Sequence, residues 1–265
     1  VAAARSHVVL AVYDCMDDLA SFKDGTPEMR AQEAHLMTQA DLVFTGGRSM
    51  YEARKDRHPQ VYCFPSGVDL NHYCPARSGT LNEPAKIAEI PHPRIGYFGV
   101  LDERIDWSMI ATIAEQRPEW HWVLIGPTAK VDPAELPTGP NIHYLGQQPY
   151  ADLPAYLQSF DLAVMPFALN EATKFISPTK TLEYLAGGKH VLSTSVPDVV
   201  ATYRNIVTIA DGIPAWITAI EQILAAPPAE LQARLERAQP LLEQGSWDGI
   251  AEQMWARMMK QLERE

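Results

Sequence analysis

The chain has 265 residues, a length that suits one large domain or two small ones. A hydrophobic content of 46% with 21% charged residues is that of an ordinary globular protein and excludes disorder and coiled coil. A net charge of −11 would repel a nucleic-acid backbone, and no apolar run reaches the roughly 18 residues that span a bilayer.

In chain order, the sequence opens on Val1-Ala2-Ala3-Ala4 with no initiator methionine, which is expected of a cut within a longer protein. A strand is predicted at 8–13. The carboxylates of Asp14, Asp17 and Asp18 follow it directly, where ligands bind in open α/β sheets. Asp14 and Asp17 are candidates to reach a ligand there, and helix capping is the other role open to them. A helix is predicted over 27–40 and strands over 41–45 and 61–64. The basic cluster Arg54-Lys55-Asp56-Arg57-His58 between those strands reads as a solvated helix end. Cys15, Cys63 and Cys74 lack C-x-x-C spacing. An odd count without a secretory signal predicts buried apolar side chains in a reducing, cytoplasmic setting, with no zinc.

Residues 71–93 break the rhythm with Pro75, Gly79, Pro84, Pro91 and Pro93. Beyond them, strands are predicted at 94–100, 121–125, 142–145, 162–166, 190–194 and 206–209. Helices are predicted at 107–116, 150–160 and 214–225. Near-continuous apolar strands are those covered by helices on both faces. Their alternation with helices predicts a Rossmann-like, doubly wound parallel α/β sheet. The expected domains are an incomplete N-terminal α/β portion at 1–72, a linker at 73–93, a complete Rossmann-like domain at 94–245 and a crossover helix at 246–265. Ser246 is placed to cap that last helix. Its stripe of Trp247, Ile250, Met254, Trp255, Met258 and Leu262 must dock on something, and the N-terminal portion is one place for it.

The chemistry is concentrated at 166–188, PFALNEATKFISPTKTLEYLAGG. Ser177 and Pro178 read as N-cap and first residue of a helix that Gly187-Gly188 ends. Lys180 in the first turn opposes the helix dipole, which makes sense if an anion sits at the helix entrance. Glu183, three residues on, shares its face, and a carboxylate one turn behind a phosphate site can accept ribose hydroxyls. Spacing alone favours a plain solvated Lys180–Glu183 pair on an ordinary amphipathic helix.

The run from Ser177 to Thr194, SPTKTLEYLAGGKHVLST, resembles the S-P-x-K-x-x-E-Y-x-A-x-G-K-P-V-V-x-T signature of GT-B glycosyltransferases, particularly the retaining group called family four. Other stretches agree in the family's order: 41–45 through 64–69, 94–99, 142–146 and 150–166. The resemblance covers nearly the whole chain from Val8 onward. It implies that Glu183 binds the donor ribose and that Lys180 contacts the diphosphate, with Thr179, Ser177 and Pro178 at the same helix start. A second basic residue usually follows Gly99 directly, but Val100 stands there. Arg104 is the nearest candidate, and a surface pair with Glu103 or Asp106 is its other reading. The base is expected against Tyr144, Leu145 and Gly146. The family's acid eight residues before the ribose-binding one is Phe175 here, so Asn170 or Glu171 is expected to hold sugar hydroxyls instead. Asp14 or Asp17 would reach the donor sugar from the N-terminal side.

The resulting expectation is a metal-independent, cofactor-free, retaining transfer from a UDP- or GDP-sugar to a glycan, lipid-linked or small-molecule acceptor. No D-x-D motif is present, and membrane contact, at the inner membrane, would come only through a part outside this sequence. The chain alone is expected to bind nucleotide with little or no transfer. A sugar-nucleotide 2-epimerase and a non-enzymatic nucleotide-binding scaffold are the alternatives. A dehydrogenase is disfavoured because no G-x-G-x-x-G follows the first strand of either half.

Overall fold

The computed structural model describes residues 9–22 and 25–264. Val8, the first residue of the strand predicted at 8–13, the opening Val1 and the end of the last predicted helix at Glu265 lie outside them.

Two parallel sheets organise the described residues. The first has three strands in the order β1 (Val12–Cys15), β2 (Leu42–Thr45), β3 (Val61–Cys63). Between them run α1 (Pro27–Gln39) and α2 (Arg48–Arg54). Thr26 caps α1 by accepting from the Met29 N–H, with Pro27 at the first position. The predicted solvated helix end is corrected here: Arg54 is 3% exposed. Its guanidinium meets Glu33 of α1 at 2.6 Å and Asp18 at 3.2 Å, because two carboxylates from neighbouring segments supply the charge that water would otherwise give.

The single-turn helix α3 (Leu70–Tyr73) leads into the segment expected as a linker, which carries a second single turn, α4 (Ala85–Ala88). The second sheet then begins. Its strands are β4 (Arg94–Phe98), β5 (His121–Ile125), β6 (Ile142–Gly146), β7 (Leu162–Met165), β8 (Val191–Ser193) and β9 (Thr208–Ile209), in the spatial order β6-β5-β4-β7-β8-β9. Counted within this domain the order is third, second, first, fourth, fifth, sixth, that of a doubly wound dinucleotide-binding sheet. The predicted α/β class and parallel topology are what the structure has. Helices α5 (Trp107–Gln116), α6 (Leu153–Gln158), α7 (Lys180–Ala186) and α8 (Pro197–Tyr203) connect strands, and α9 (Ile213–Ala225) follows the last one. α5 turns Met109, Ile110, Ile113 and Ala114 inward, and α9 turns Trp216, Ile217, Ile220 and Ile223 inward. Each fully buried large side chain of this kind contributes about 1.5–3 kcal/mol.

The chain then forms α10 (Pro228–Gln244), a helix absent from the sequence expectation, and α11 (Trp247–Leu262). Ser246 caps α11 by accepting from the Gly249 N–H. α11 returns to the first sheet, where Ile250, Met254 and Met258 pack with Leu42, Phe44 and Phe64. No helix among the described residues is long and apolar enough to cross a membrane.

Candidate functional site

Successive strands of the larger sheet go to one side of β4 as β5 and β6, then to the other as β7, β8 and β9. The reversal leaves a crevice outside the carboxyl ends of β4 and β7, the position at which open α/β sheets bind ligands. α7 lies over it. Tyr184 of α7 fixes this placement. Its buried hydroxyl accepts from the Phe98 N–H at 3.1 Å, tying the helix to the last residue of β4. Arg77 holds the other end. Its Nε and Nη2 donate to Ala186 O at 2.6 Å and Leu185 O at 3.0 Å, satisfying C-terminal carbonyls that a helix otherwise leaves orphaned. The helix closes in a Schellman turn, Lys189 N–H to Tyr184 O and Gly188 N–H to Leu185 O, with Gly188 and not Gly187 at positive φ.

A cleft of about 330 Å³ opens beside α7. It is walled by Gly99 and Val100 after β4, Gly126 and Pro127 after β5, Gln147 and Gln148 after β6, and by Tyr73, Tyr150, Lys180 and Glu183. A larger hollow of about 460 Å³ lies between β3 and α11, but it holds no such acid–base pair, and its Arg257 stacks on Tyr62 at 4.6 Å. Chemistry rather than volume selects the cleft.

Lys180 and Glu183 are both half-buried and both perturbed. Burial pulls the Lys180 ammonium below the usual lysine range; the Glu183 carboxylate opposes that fall and the Arg104 charge adds to it. Burial likewise raises the Glu183 carboxyl, with the Lys180 charge opposing. Lys180 Nζ lies 5.8 Å from the centre of the Tyr97 ring. Two titratable groups of opposite sign, desolvated in a crevice at a strand-order reversal, mark a functional-site candidate.

Of the residues singled out from the sequence, the structure brings Gly99, Val100, Lys180 and Glu183 to this cleft. Others lie elsewhere. Ser177 makes no capping bond, because the helix starts two residues later than expected, from Thr179. The Thr181 and Leu182 N–H groups donate back to Pro178 and Thr179, so they are not free for an anion. Ser177, Pro178 and Thr179 are half-buried at the start of α7, outside the cleft lining.

Arg104 is outside the cleft lining, though near enough for its charge to act on Lys180; its Nη2 meets Asp102 at 2.6 Å, and its partner is neither Glu103 nor Asp106. Tyr144 donates to Pro137 O at 2.9 Å and packs near Trp107, and Leu145 O accepts from Gln148 at 2.6 Å. Neither lines the cleft, because β6 runs on to Gly146 and moves the strand end toward Gln147. Asn170 spends its side-chain oxygen on the Ala172 N–H, and the exposed Glu171 pairs with Lys174 at 3.6 Å. Asp14 is exposed, and Asp17 borders a separate small hollow beside α1.

Sequence reading missed Tyr73, Gly126, Pro127, Gln147, Gln148 and Tyr150 in the cleft. The rule that ligands sit past strand ends was the signal for the four residues after β5 and β6. Nothing in the aperiodic 71–93 stretch pointed to Tyr73.

Residues 92–226 match the model of the family described as glycosyl transferases group 1. The chain is 31% identical over 206 residues to TuaH of Bacillus subtilis (strain 168), a candidate teichuronic acid biosynthesis glycosyltransferase; the match takes in 70% of this chain and 50% of that protein. The chain thus spans about half the length of that relative. Among solved structures, sucrose-phosphate synthase from Thermosynechococcus elongatus superposes with a TM-score of 0.71 at 20% identity, covering 96% of this chain and 68% of that one. Anabaena HepE, solved in complex with UDP and glucose, gives a TM-score of 0.74 at 15% identity over 94% of this chain and 71% of its own.

Proposed function

Because the chain belongs to the glycosyl transferases group 1 family, we propose that its cleft binds the nucleoside diphosphate of a sugar donor, and that the whole protein moves that sugar to a glycan, lipid-linked or small-molecule acceptor. The observation that carries this reading is the placement of Lys180 and Glu183 one turn apart on α7, in the crevice outside β4. A half-buried ammonium near a second cation gains most from an anion brought beside it, and a diphosphate is such an anion. Glu183, once ionised, accepts the two hydroxyls of the ribose. The strand-end residues Gly126, Pro127, Gln147 and Gln148 then face the base.

When the bond from the anomeric carbon to the diphosphate oxygen breaks, negative charge grows on the departing diphosphate. A positioned cation lowers the energy of that state more than of the intact donor. In this reading Lys180 supplies that cation, the transfer needs no metal, and the anomeric configuration is retained. The HepE complex with UDP and glucose supports a UDP-sugar as the first donor to try, with GDP-sugars next.

Product analysis tests the reading. UDP-sugars and GDP-sugars are incubated with the protein, with and without candidate acceptors, and followed by NMR of the anomeric proton. Loss of donor only when acceptor is present, with free nucleoside diphosphate released, is the expected result. Conversion of the free donor without any acceptor would instead mean an epimerase.

A further inference from the structure

Tyr73 is 1% exposed, yet its hydroxyl has no hydrogen-bond partner. A buried phenol normally finds one, so an orphan that borders a ligand cleft calls for an explanation. Its ring is fixed firmly. It stacks parallel to Phe98 at 6.0 Å and meets Tyr150 edge-on at 6.0 Å. Asp69 caps the single turn of α3 by accepting from the His72 N–H, and four residues past Tyr73, Arg77 grips the end of α7. Arg77 therefore ties the segment to α7, and the Tyr73 hydroxyl lies beside Glu183. The Glu183 charge raises the Tyr73 phenol beyond what burial does.

We propose that Tyr73 is a positioning residue for the donor ribose: when nucleotide binds, its hydroxyl donates to one Glu183 carboxylate oxygen and turns the other toward the ribose hydroxyls. The inference rests on the reading of Glu183 as the ribose acceptor. It explains why a hydroxyl is kept where a phenylalanine would make the same ring contacts. Without a ligand the phenol and carboxylate are close but not bonded. With the ribose drawing on one carboxylate oxygen, the other turns to the phenol and the orphan hydroxyl is satisfied.

The test is calorimetric titration of the chain and of Tyr73→Phe, which keeps both ring contacts and removes only the oxygen. The probes are UDP, GDP and ADP, inorganic pyrophosphate, and the 2′,3′-dideoxy form of whichever diphosphate binds best. The expected result is a loss of at least fivefold for the ribose-bearing diphosphate, none for pyrophosphate, and none for the dideoxy form. In a Glu183→Gln background the Tyr73→Phe penalty should fall below twofold. Equal binding by Tyr73→Phe overturns the inference while leaving the proposed function standing, and so does an equal loss for all three probes, which means a structural role. If the unaltered chain binds none of the diphosphates, the reading of the cleft fails first and the role of Tyr73 fails with it.

Discussion

The Lys180 side chain passes directly over Gly99. A Cβ at position 99 would stand 2.1 Å from Lys180 Cε and 2.7 Å from its Nζ. The space left by glycine is what lets the ammonium reach the strand end, and the same residue sits at φ +145°, where a side chain is disfavoured.

Gly99→Ala therefore meets two obstacles. The backbone strain costs about 1–3 kcal/mol of stability, and the lysine must leave its place. Chemical denaturation should show that loss, and diphosphate affinity should fall at least tenfold. A variant as stable as the parent that binds nucleotide equally well would show that Lys180 does not need this path.

Tyr184→Phe strands the Phe98 N–H, whose partner in the fold is the Tyr184 hydroxyl at 3.1 Å. A buried donor left unpaired costs about 1–3 kcal/mol. The urea midpoint should drop accordingly. Because the bond also seats α7 on β4, ligand affinity should drop with it.

Arg54→Ala removes the cation from between Glu33 and Asp18 and leaves two carboxylates facing a buried space. Breaking a buried ion cluster in this way costs about 3–5 kcal/mol. Lys55→Ala, one residue along, removes a partly exposed pair with Glu52 and should stay within about 1 kcal/mol of the parent. Denaturation of the two variants side by side checks the contrast.

The acid Glu183 carries a sign that separates folding from binding. Burial raises its carboxyl above the ordinary range. A group raised in the folded state binds its proton more tightly there than in the unfolded chain. Its contribution to stability is full at acid pH and is lost as pH rises through the folded value. Binding runs the other way, since only the ionised form accepts both ribose hydroxyls. Diphosphate affinity should fall as pH is lowered from 7 toward the usual carboxylate range. Glu183→Gln should gain stability at pH 7, on the order of 0.5–2 kcal/mol, while losing affinity. Thermal melts and titrations across pH measure both.

The strands of the larger sheet were legible because their apolar runs are nearly continuous, as burial on both faces requires. α10 was not. Only Ala238 and Leu242 are buried on it, and Pro240 interrupts its pattern. α2 and α8, seven residues each, are too short for periodicity to register. In the cleft, Lys180 and Glu183 could be found because their spacing lies within one turn of one helix. Tyr73 and Tyr150 could not, since the chain segments that carry them meet only in the folded protein. Asn170 and Glu171 stood out because a polar loop past a strand end reads as a binding loop; in the fold Thr173 and Asn170 close it into a turn on itself, outside the cleft lining.

The most direct measurement is calorimetric titration of the chain, Lys180→Ala and Glu183→Ala with UDP, GDP and ADP. The account predicts micromolar to millimolar binding of one diphosphate, weakened at least tenfold, or about 1.4 kcal/mol, by either substitution. Undiminished binding by both variants, or no binding by the parent chain, would contradict it.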